Sequence, residues 1–217
     1  MLTNKKAIIF DMDGSLVDSM WLWTKVDDIY MEKYHLTMPE HFHKEIEGMS
    51  FTETAEYFLK TFPQLNCTVE EIKQEWQNLT MELYCTQVPL KPGAGEFLKR
   101  MKEKGILLGI ATSNARELAE AVLDALHIRT YFDTVRTSCE VAKGKPAPDV
   151  YLKAAEDLHV IPEECLVFED VPSGILAGKN AGMTVCAVDD DFSKPYEQEK
   201  RNLADYYIYD YAEVNIH

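Results

Sequence analysis

Two aspartates two residues apart, Asp11 and Asp13, follow directly on the apolar run Ala7–Phe10, in the stretch Asp11-Met12-Asp13-Gly14-Ser15-Leu16-Val17-Asp18. Carboxylates at the end of a buried run are costly unless something compensates them. Three other polar clusters also follow apolar runs. Thr112-Ser113-Asn114 follows Ile106–Ala111, and Glu169-Asp170 follows Cys165–Phe168. The stretch Lys143-Gly144-Lys145-Pro146-Ala147-Pro148-Asp149 comes after the weaker run Thr134–Arg136. Asp11, Asp13, Glu169 and Asp170 gathered at one place would repel one another. A divalent cation resolves the repulsion, and an all-oxygen donor set suits Mg²⁺, which tends to share its shell with phosphate oxygens. A helix N-terminus beside Thr112–Asn114 and an ammonium from Lys145 would hold such a phosphate.

Those clusters need a scaffold that ends several strands side by side. The apolar runs Ala7–Phe10, Ile106–Ala111, Thr134–Arg136, Cys165–Phe168, Thr184–Val188 and Tyr206–Tyr209 have strand length. Helical stripes lie between most of them. Phe97, Leu98 and Met101 form one, stopped by Gly105. Leu118, Val122, Ala125 and Leu126 form the next, with Asn114 as the expected N-cap and Glu117 completing a capping box. Tyr151, Ala154, Ala155 and Leu158 follow Pro148, and Ile175, Ala177 and Ala181 follow Ser173 and end at Gly182. Alternating strand and helix predicts an α/β fold with a parallel sheet covered on both faces. In such a sheet ligands gather at the carboxyl ends of the strands, where all four clusters sit.

Residues 18–88 break the alternation. Leu22, Val26, Ile29 and Lys33 form a helical stripe. Ala55, Phe58, Leu59 and Phe62 form a second, opened by Ser50 and Glu53. Ile72, Trp76, Leu79 and Leu83 form a third, opened by Thr68 and Glu71. Pro89, Pro92, Gly93 and Gly95 mark the return to the sheet. The expected organisation is a core of residues 1–17 and 89–217, interrupted by a small all-helical cap over 18–88. The polar stretch Asp189–Arg201 reads as a surface excursion before the last strand.

Composition bounds the partners. The chain has 217 residues, 46% hydrophobic and 27% charged, with a net charge of -15. So acidic a surface argues against nucleic acid or an anionic membrane as partner. No apolar run is long enough to span a bilayer, and Met1–Lys6 followed by four apolar residues and Asp11 does not read as a signal peptide. The five cysteines show no CxxC spacing, which suits reduced thiols in the cytoplasm. Cys165 and Cys186 read as small core residues. Without heptads or a long exposed apolar stripe, a monomer is expected.

Taken together, the clusters resemble the signature motifs of the haloacid dehalogenase superfamily. Asp11–Asp18 is similar to the first, Thr112-Ser113-Asn114 to the second, Gly144-Lys145-Pro146-Ala147-Pro148-Asp149 to the third, and Phe168-Glu169-Asp170-Val171-Pro172-Ser173-Gly174 to the fourth. All four occur in order, and the resemblance covers nearly the whole chain. The helical insert is similar to the cap of the phosphoglucomutase-like and phosphoglycolate-phosphatase-like branch. The resemblance implies a Rossmann-like core and a phosphate-ester substrate. It makes Asp11 the nucleophile and Asp13 the general acid and base. Mg²⁺ would be held by Asp11, the main-chain carbonyl of Asp13 and Asp170, with Glu169 joining through water or orienting Lys145. Thr112 and Lys145 would bind the transferring phosphoryl oxygens, helped by amides near Ser113 and Asn114.

Two departures narrow the reading. Dehalogenases and phosphonate-cleaving members of the superfamily lack the second aspartate, and this chain has Asp13, so ester chemistry is expected. Phosphoglucomutase-like members carry a cap histidine and a cap-loop arginine, where this chain has Trp23 and Phe51. A phosphatase is therefore expected; a phosphomutase of the β-phosphoglucomutase type and a non-catalytic phospho-ligand sensor are the alternatives. Trp21 and Trp23 are about 200° apart on a helix, so only one can face the site. Trp23 shares a face with Ser19, and Ser19, Trp23 and Phe51 are the candidate specificity residues. Hinges are expected near Val17–Ser19 and Val88–Pro92.

Overall fold

Each apolar run becomes a strand. These are β1 (Ala7–Phe10), β2 (Leu107–Thr112), β3 (Thr134–Thr137), β4 (Cys165–Glu169), β5 (Thr184–Val188) and β6 (Tyr206–Ile208). The structure, a computed structural model, describes residues 1–214. The strands form one sheet in the order β3-β2-β1-β4-β5-β6, and every pairing is parallel. This is a Rossmann-like α/β sheet, and its order reverses between β1 and β4. There Phe10 is in register with Phe168, and their rings stack at 5.3 Å. Asp11 and Glu169 therefore leave the sheet at the same level, at the point where such sheets bind ligands.

Side chains of β1 alternate between two buried layers. Ile8 and Phe10 pack with α5 (Ala94–Glu103) and α6 (Arg116–Ala125) through Phe97, Leu98, Leu118 and Val122. Ala7 and Ile9 face α7 (Asp149–Leu158) and α8 (Pro172–Asn180) through Tyr151, Ala154 and Ile175. Burying each large side chain contributes about 1.5–3 kcal/mol, which anchors the polar strand ends that follow. Gly105 and Gly182 follow α5 and α8 at φ 74° and 78°, the stops expected from the sequence.

Between β1 and α5 stand four helices: α1 (Met20–Tyr34), α2 (Phe42–Ile46), α3 (Phe51–Thr61) and α4 (Val69–Gln87). The capping boxes at Ser50/Glu53 and Thr68/Glu71 are both formed. The first stripe differs from expectation. Leu22, Val26 and Tyr30 are its buried residues, and Lys33 is exposed. Tyr30 packs edge-on against Phe58 and Trp76 and donates its hydroxyl to Glu75 at 2.6 Å, which draws the buried face round by one position. The short α2 carried no periodic signal and was not expected. The chain enters and leaves this bundle at one place: Val17 bridges Leu90, and the amides of Asp18 and Lys91 donate to Pro89 and Leu16.

The stretch after β5 is only in part the surface excursion expected: Asp191, Phe192, Lys194 and Pro195 are exposed, but three polar residues turn inward. Asp190, Ser193 and Lys200 are buried, and residues 197–203 form a helix, α9. Lys91 pairs with Asp190 at 2.8 Å, while the Lys200 ammonium donates to the Val188 carbonyl and the Ser193 hydroxyl. These partners compensate the buried charges, and a polar sequence can hence fold inward. All five cysteines are free, and Cys165 and Cys186 are buried as expected. Among the described residues no helix is long and apolar enough to cross a membrane.

Candidate active site

The carboxyl end of β1 splits its two aspartates between two environments. Asp11 turns toward the sheet. Lys145, arriving from the loop before α7, donates to Asp11 Oδ1 and to Glu169 Oε1, both at 2.6 Å. Tyr151 donates to the same Glu169 oxygen at 2.9 Å, while Glu169 Oε2 accepts from the amides of Asp170 and Val171. Glu169 thus fixes Lys145 against Asp11. Burial opposes the charge on Lys145, but Asp11 and Glu169 outweigh it and hold the ammonium above the usual lysine range. Burial pushes the Asp11 carboxyl up, further than Lys145 pulls it back.

Asp170 is the uncompensated member. It is 1% exposed, and neither of its carboxylate oxygens has a hydrogen-bond partner. Burial, then Glu169 and Asp11, push its carboxyl well above the carboxylate range. One oxygen from each of Asp11, Glu169 and Asp170 lies within 4.8 Å of the others. Orphaned oxygens crowded by like charge fit a hard divalent cation. Gly14, at φ 78°, is required here, since a Cβ would lie 2.4 Å from Asp170 Oδ2.

Asp13 turns the other way, into the helical insert. Its Oδ1 accepts from Ser19 Oγ at 2.6 Å, from Trp23 Nε1 at 3.3 Å and from the Tyr84 hydroxyl, and its Oδ2 accepts from Asn114 Nδ2 at 3.0 Å. Burial, reinforced by Asp13, pushes the Tyr84 phenol well up, so it stays a donor. The expectation that Asn114 caps α6 is corrected. Ala115 occupies the N-cap with no side-chain cap; Asn114 stands one residue earlier, where its Oδ1 accepts from the Ala115 amide at 2.7 Å and its Nδ2 donates to Asp13 and, at 2.9 Å, to Tyr84. No capping box forms with Glu117, which instead accepts from Gln77 of α4.

The remaining candidates border the same cavity of about 400 Å³. Thr112 is buried at the end of β2, and its hydroxyl accepts from the Asn114 amide at 3.0 Å. Ser113 faces the insert: its hydroxyl donates to the Gly48 carbonyl, and its own carbonyl accepts from the Phe51 amide. Gly48, at φ 80°, permits this approach, since a Cβ there would meet the Lys145 carbonyl at 2.7 Å. Trp23 and Phe51 both line the cavity and meet edge-to-face at 6.2 Å, whereas Trp21 is 38% exposed and donates to the Asp18 carbonyl. The sequence reading missed Tyr84, Tyr151, Trp76 and Phe192. For Tyr84 the available signal was its place on the α4 stripe, four and eight residues beyond Thr80 and Trp76.

A family profile described as haloacid dehalogenase-like hydrolase matches residues 8–188. A phosphorylated carbohydrates phosphatase of Thermotoga maritima is 33% identical over 178 residues, covering 82% of each chain. A β-phosphoglucomutase of Bacillus subtilis is 31% identical over 191 residues, 84% of this chain and 83% of that protein. The crystal structure of CbbY from Rhodobacter sphaeroides in complex with phosphate shares the fold, with a TM-score of 0.83, 24% identity and 96% coverage of both chains. Four strand-end clusters converging on one cavity, in a chain so matched, belong to the haloacid dehalogenase-like hydrolase family.

Proposed function

We propose that the chain is a Mg²⁺-dependent phosphatase that hydrolyses a small phosphomonoester through an aspartyl-phosphate. The observation that carries this reading is the opposed orientation of the two aspartates. Asp11 lies against Lys145 beside the orphaned Asp170, and Asp13 stands among donors at the mouth of the insert. An Asp11 oxygen attacks phosphorus and the ester P–O bond breaks. The departing alcohol oxygen takes its proton from Asp13. Water then attacks the phosphorus of the aspartyl-phosphate, gives its proton back to Asp13 and releases inorganic phosphate with Asp11 restored. Lys145 neutralises phosphoryl oxygens, and Thr112 with the amides near Ser113 and Asn114 orients them. Asp11, Asp170 and the Asp13 carbonyl would hold Mg²⁺, with Glu169 behind them, and the ion would supply charge neutralisation for the transferring group. Trp23, Ser19 and Phe51 belong to the substrate-selecting cap over residues 18–88.

Hydrolysis is favoured over phosphomutase chemistry by Trp23 and Phe51. Trp23 donates its indole N–H to Asp13, and Phe51 packs on Trp23 and Trp76; neither offers a second phosphate a charge. The same reading has the protein act as a cytoplasmic monomer on a diffusing ester. With Mg²⁺, wild type should release phosphate from p-nitrophenyl phosphate, and Asp11→Asn should lower kcat by at least about 10³-fold. Inactivity of wild type in Mg²⁺ would support a phospho-ligand sensor, and activity that survives Asp11→Asn would remove the covalent route.

A further inference from the structure

The cavity is charged at one end only. Among the described residues that line it, Lys145 is the sole lysine or arginine, and it sits at the phosphate end, already engaged by Asp11 and Glu169. Toward the insert the ionisable groups are Asp27, Glu47 and His43. His43 Nδ1 lies 3.7 Å from Asp27, and Glu47 accepts from the Ser173 amide. A second phosphate or a carboxylate on the substrate would meet acidic side chains there, with no lysine or arginine to receive it.

The rest of that end is mainly apolar, with rings set among Met20, Val26, Ile46 and Met49. Phe51 and Trp76 meet edge-to-face at 5.7 Å, and Trp23 crosses Phe51 at 61°. On the other side Phe192, 39% exposed, stands perpendicular to the His43 ring at 5.9 Å. The volume of about 400 Å³ accommodates one ring beyond a phosphate, within the range of ordinary small-molecule sites. Aromatic walls set edge-to-face offer an incoming ring both faces and edges.

We infer that the substrate is a phosphomonoester with no second anionic group, whose alcohol carries an uncharged aromatic ring seated between Trp23, Phe51 and Phe192. This rests on the phosphatase reading above and names the substrate class of that site. It excludes bisphosphates and carboxylate-bearing phosphates as good substrates.

The test compares kcat/KM for benzyl phosphate, glycerol 3-phosphate and phosphoglycolate, all with alcohol leaving groups, at one Mg²⁺ concentration. Benzyl phosphate should lead glycerol 3-phosphate by about tenfold or more, and phosphoglycolate should trail by at least about another tenfold. Phe192→Ser, at an exposed position, should shrink the first ratio. Thr24→Lys, an exposed cavity-lining site on α1, should narrow the second by giving the carboxylate a partner. Glycerol 3-phosphate or phosphoglycolate matching benzyl phosphate would overturn the inference and leave the phosphatase standing. No hydrolysis of the three while p-nitrophenyl phosphate is cleaved would overturn the inference, and no hydrolysis of any of the four would overturn the phosphatase reading itself.

Discussion

The two ends of the cavity are built on opposite plans. At the sheet end, four ionisable side chains, Asp11, Lys145, Glu169 and Asp170, are all buried within hydrogen-bonding or metal-binding reach of one another. At the insert end, helices present mainly apolar side chains and rings, and Ser19, Trp23 and Tyr84 converge on one carboxylate, Asp13. The first end holds charge that only a rigid backbone can keep in place. The second holds shape that helix packing can vary without disturbing that charge. On the proposed reading, chemistry and selection fall to different kinds of secondary structure.

The contrast can be broken most severely at Lys145. Lys145→Met leaves Asp11 and Glu169 buried without their cation, and should cost about 3–5 kcal/mol of stability besides activity, read by denaturant unfolding. A stable, active variant would mean that the sheet end does not depend on charge pairing. The next test concerns Asp170. Mg²⁺ at a hundred times its dissociation constant should stabilise the fold by about 2.7 kcal/mol, seen as a rise in Tm. Asp170→Asn should abolish that rise.

At the insert end the effects should be smaller. Tyr84→Phe removes one donor from Asp13 and should lower kcat about tenfold for alkyl phosphates. It should do less to p-nitrophenyl phosphate, whose leaving group needs no proton. Equal losses on both would make Tyr84 a packing residue only. The smallest effect is expected at Asp27, whose carboxyl is pushed up to about 7 by burial, with Asp28 adding. Because its folded value is raised, the stability it contributes is present at low pH and lost as pH rises from about 4 through 7. Asp27→Asn should therefore stabilise the fold relative to wild type at pH 8, by roughly 1 kcal/mol after allowing for partial exposure, seen as a higher Tm, and not at pH 4.

The same contrast explains what the sequence could tell. Asp11, Asp13, Glu169 and Asp170 were legible because a strand end is a fixed address: an apolar run of four or five residues followed by a carboxylate names its place in a parallel sheet. The helical insert was legible as an element, through stripes and two capping boxes that formed as expected. Its inner face was harder. Leu79 and Leu83 look more hydrophobic than Thr80 and Tyr84, yet the latter pair is the buried one, because the register follows contacts with Asp13 and Asn114 from outside the helix. Asn114 itself misled, since its type suits an N-cap but it stands one residue before the cap, with its oxygen bonded to the Ala115 amide. The burial of Asp190, Ser193 and Lys200 within Asp189–Arg201 was hidden as well. Lys200 and Asp190 read as surface residues until the partners Ser193 and Lys91, distant or unremarkable in sequence, compensate them.

The paired crossings at Val17 and Leu90 carry a consequence for how such a molecule can change over evolution. A segment whose entry and exit lie side by side can be exchanged for another of different length without rerouting the sheet around it. Recombination or gradual drift could replace the whole cassette while the strand ends stay in register. With the proposed division of roles, one catalytic chassis could be fitted with many selectors, and a graft made between Val17 and Leu90 would be expected to carry its donor's substrate preference with it.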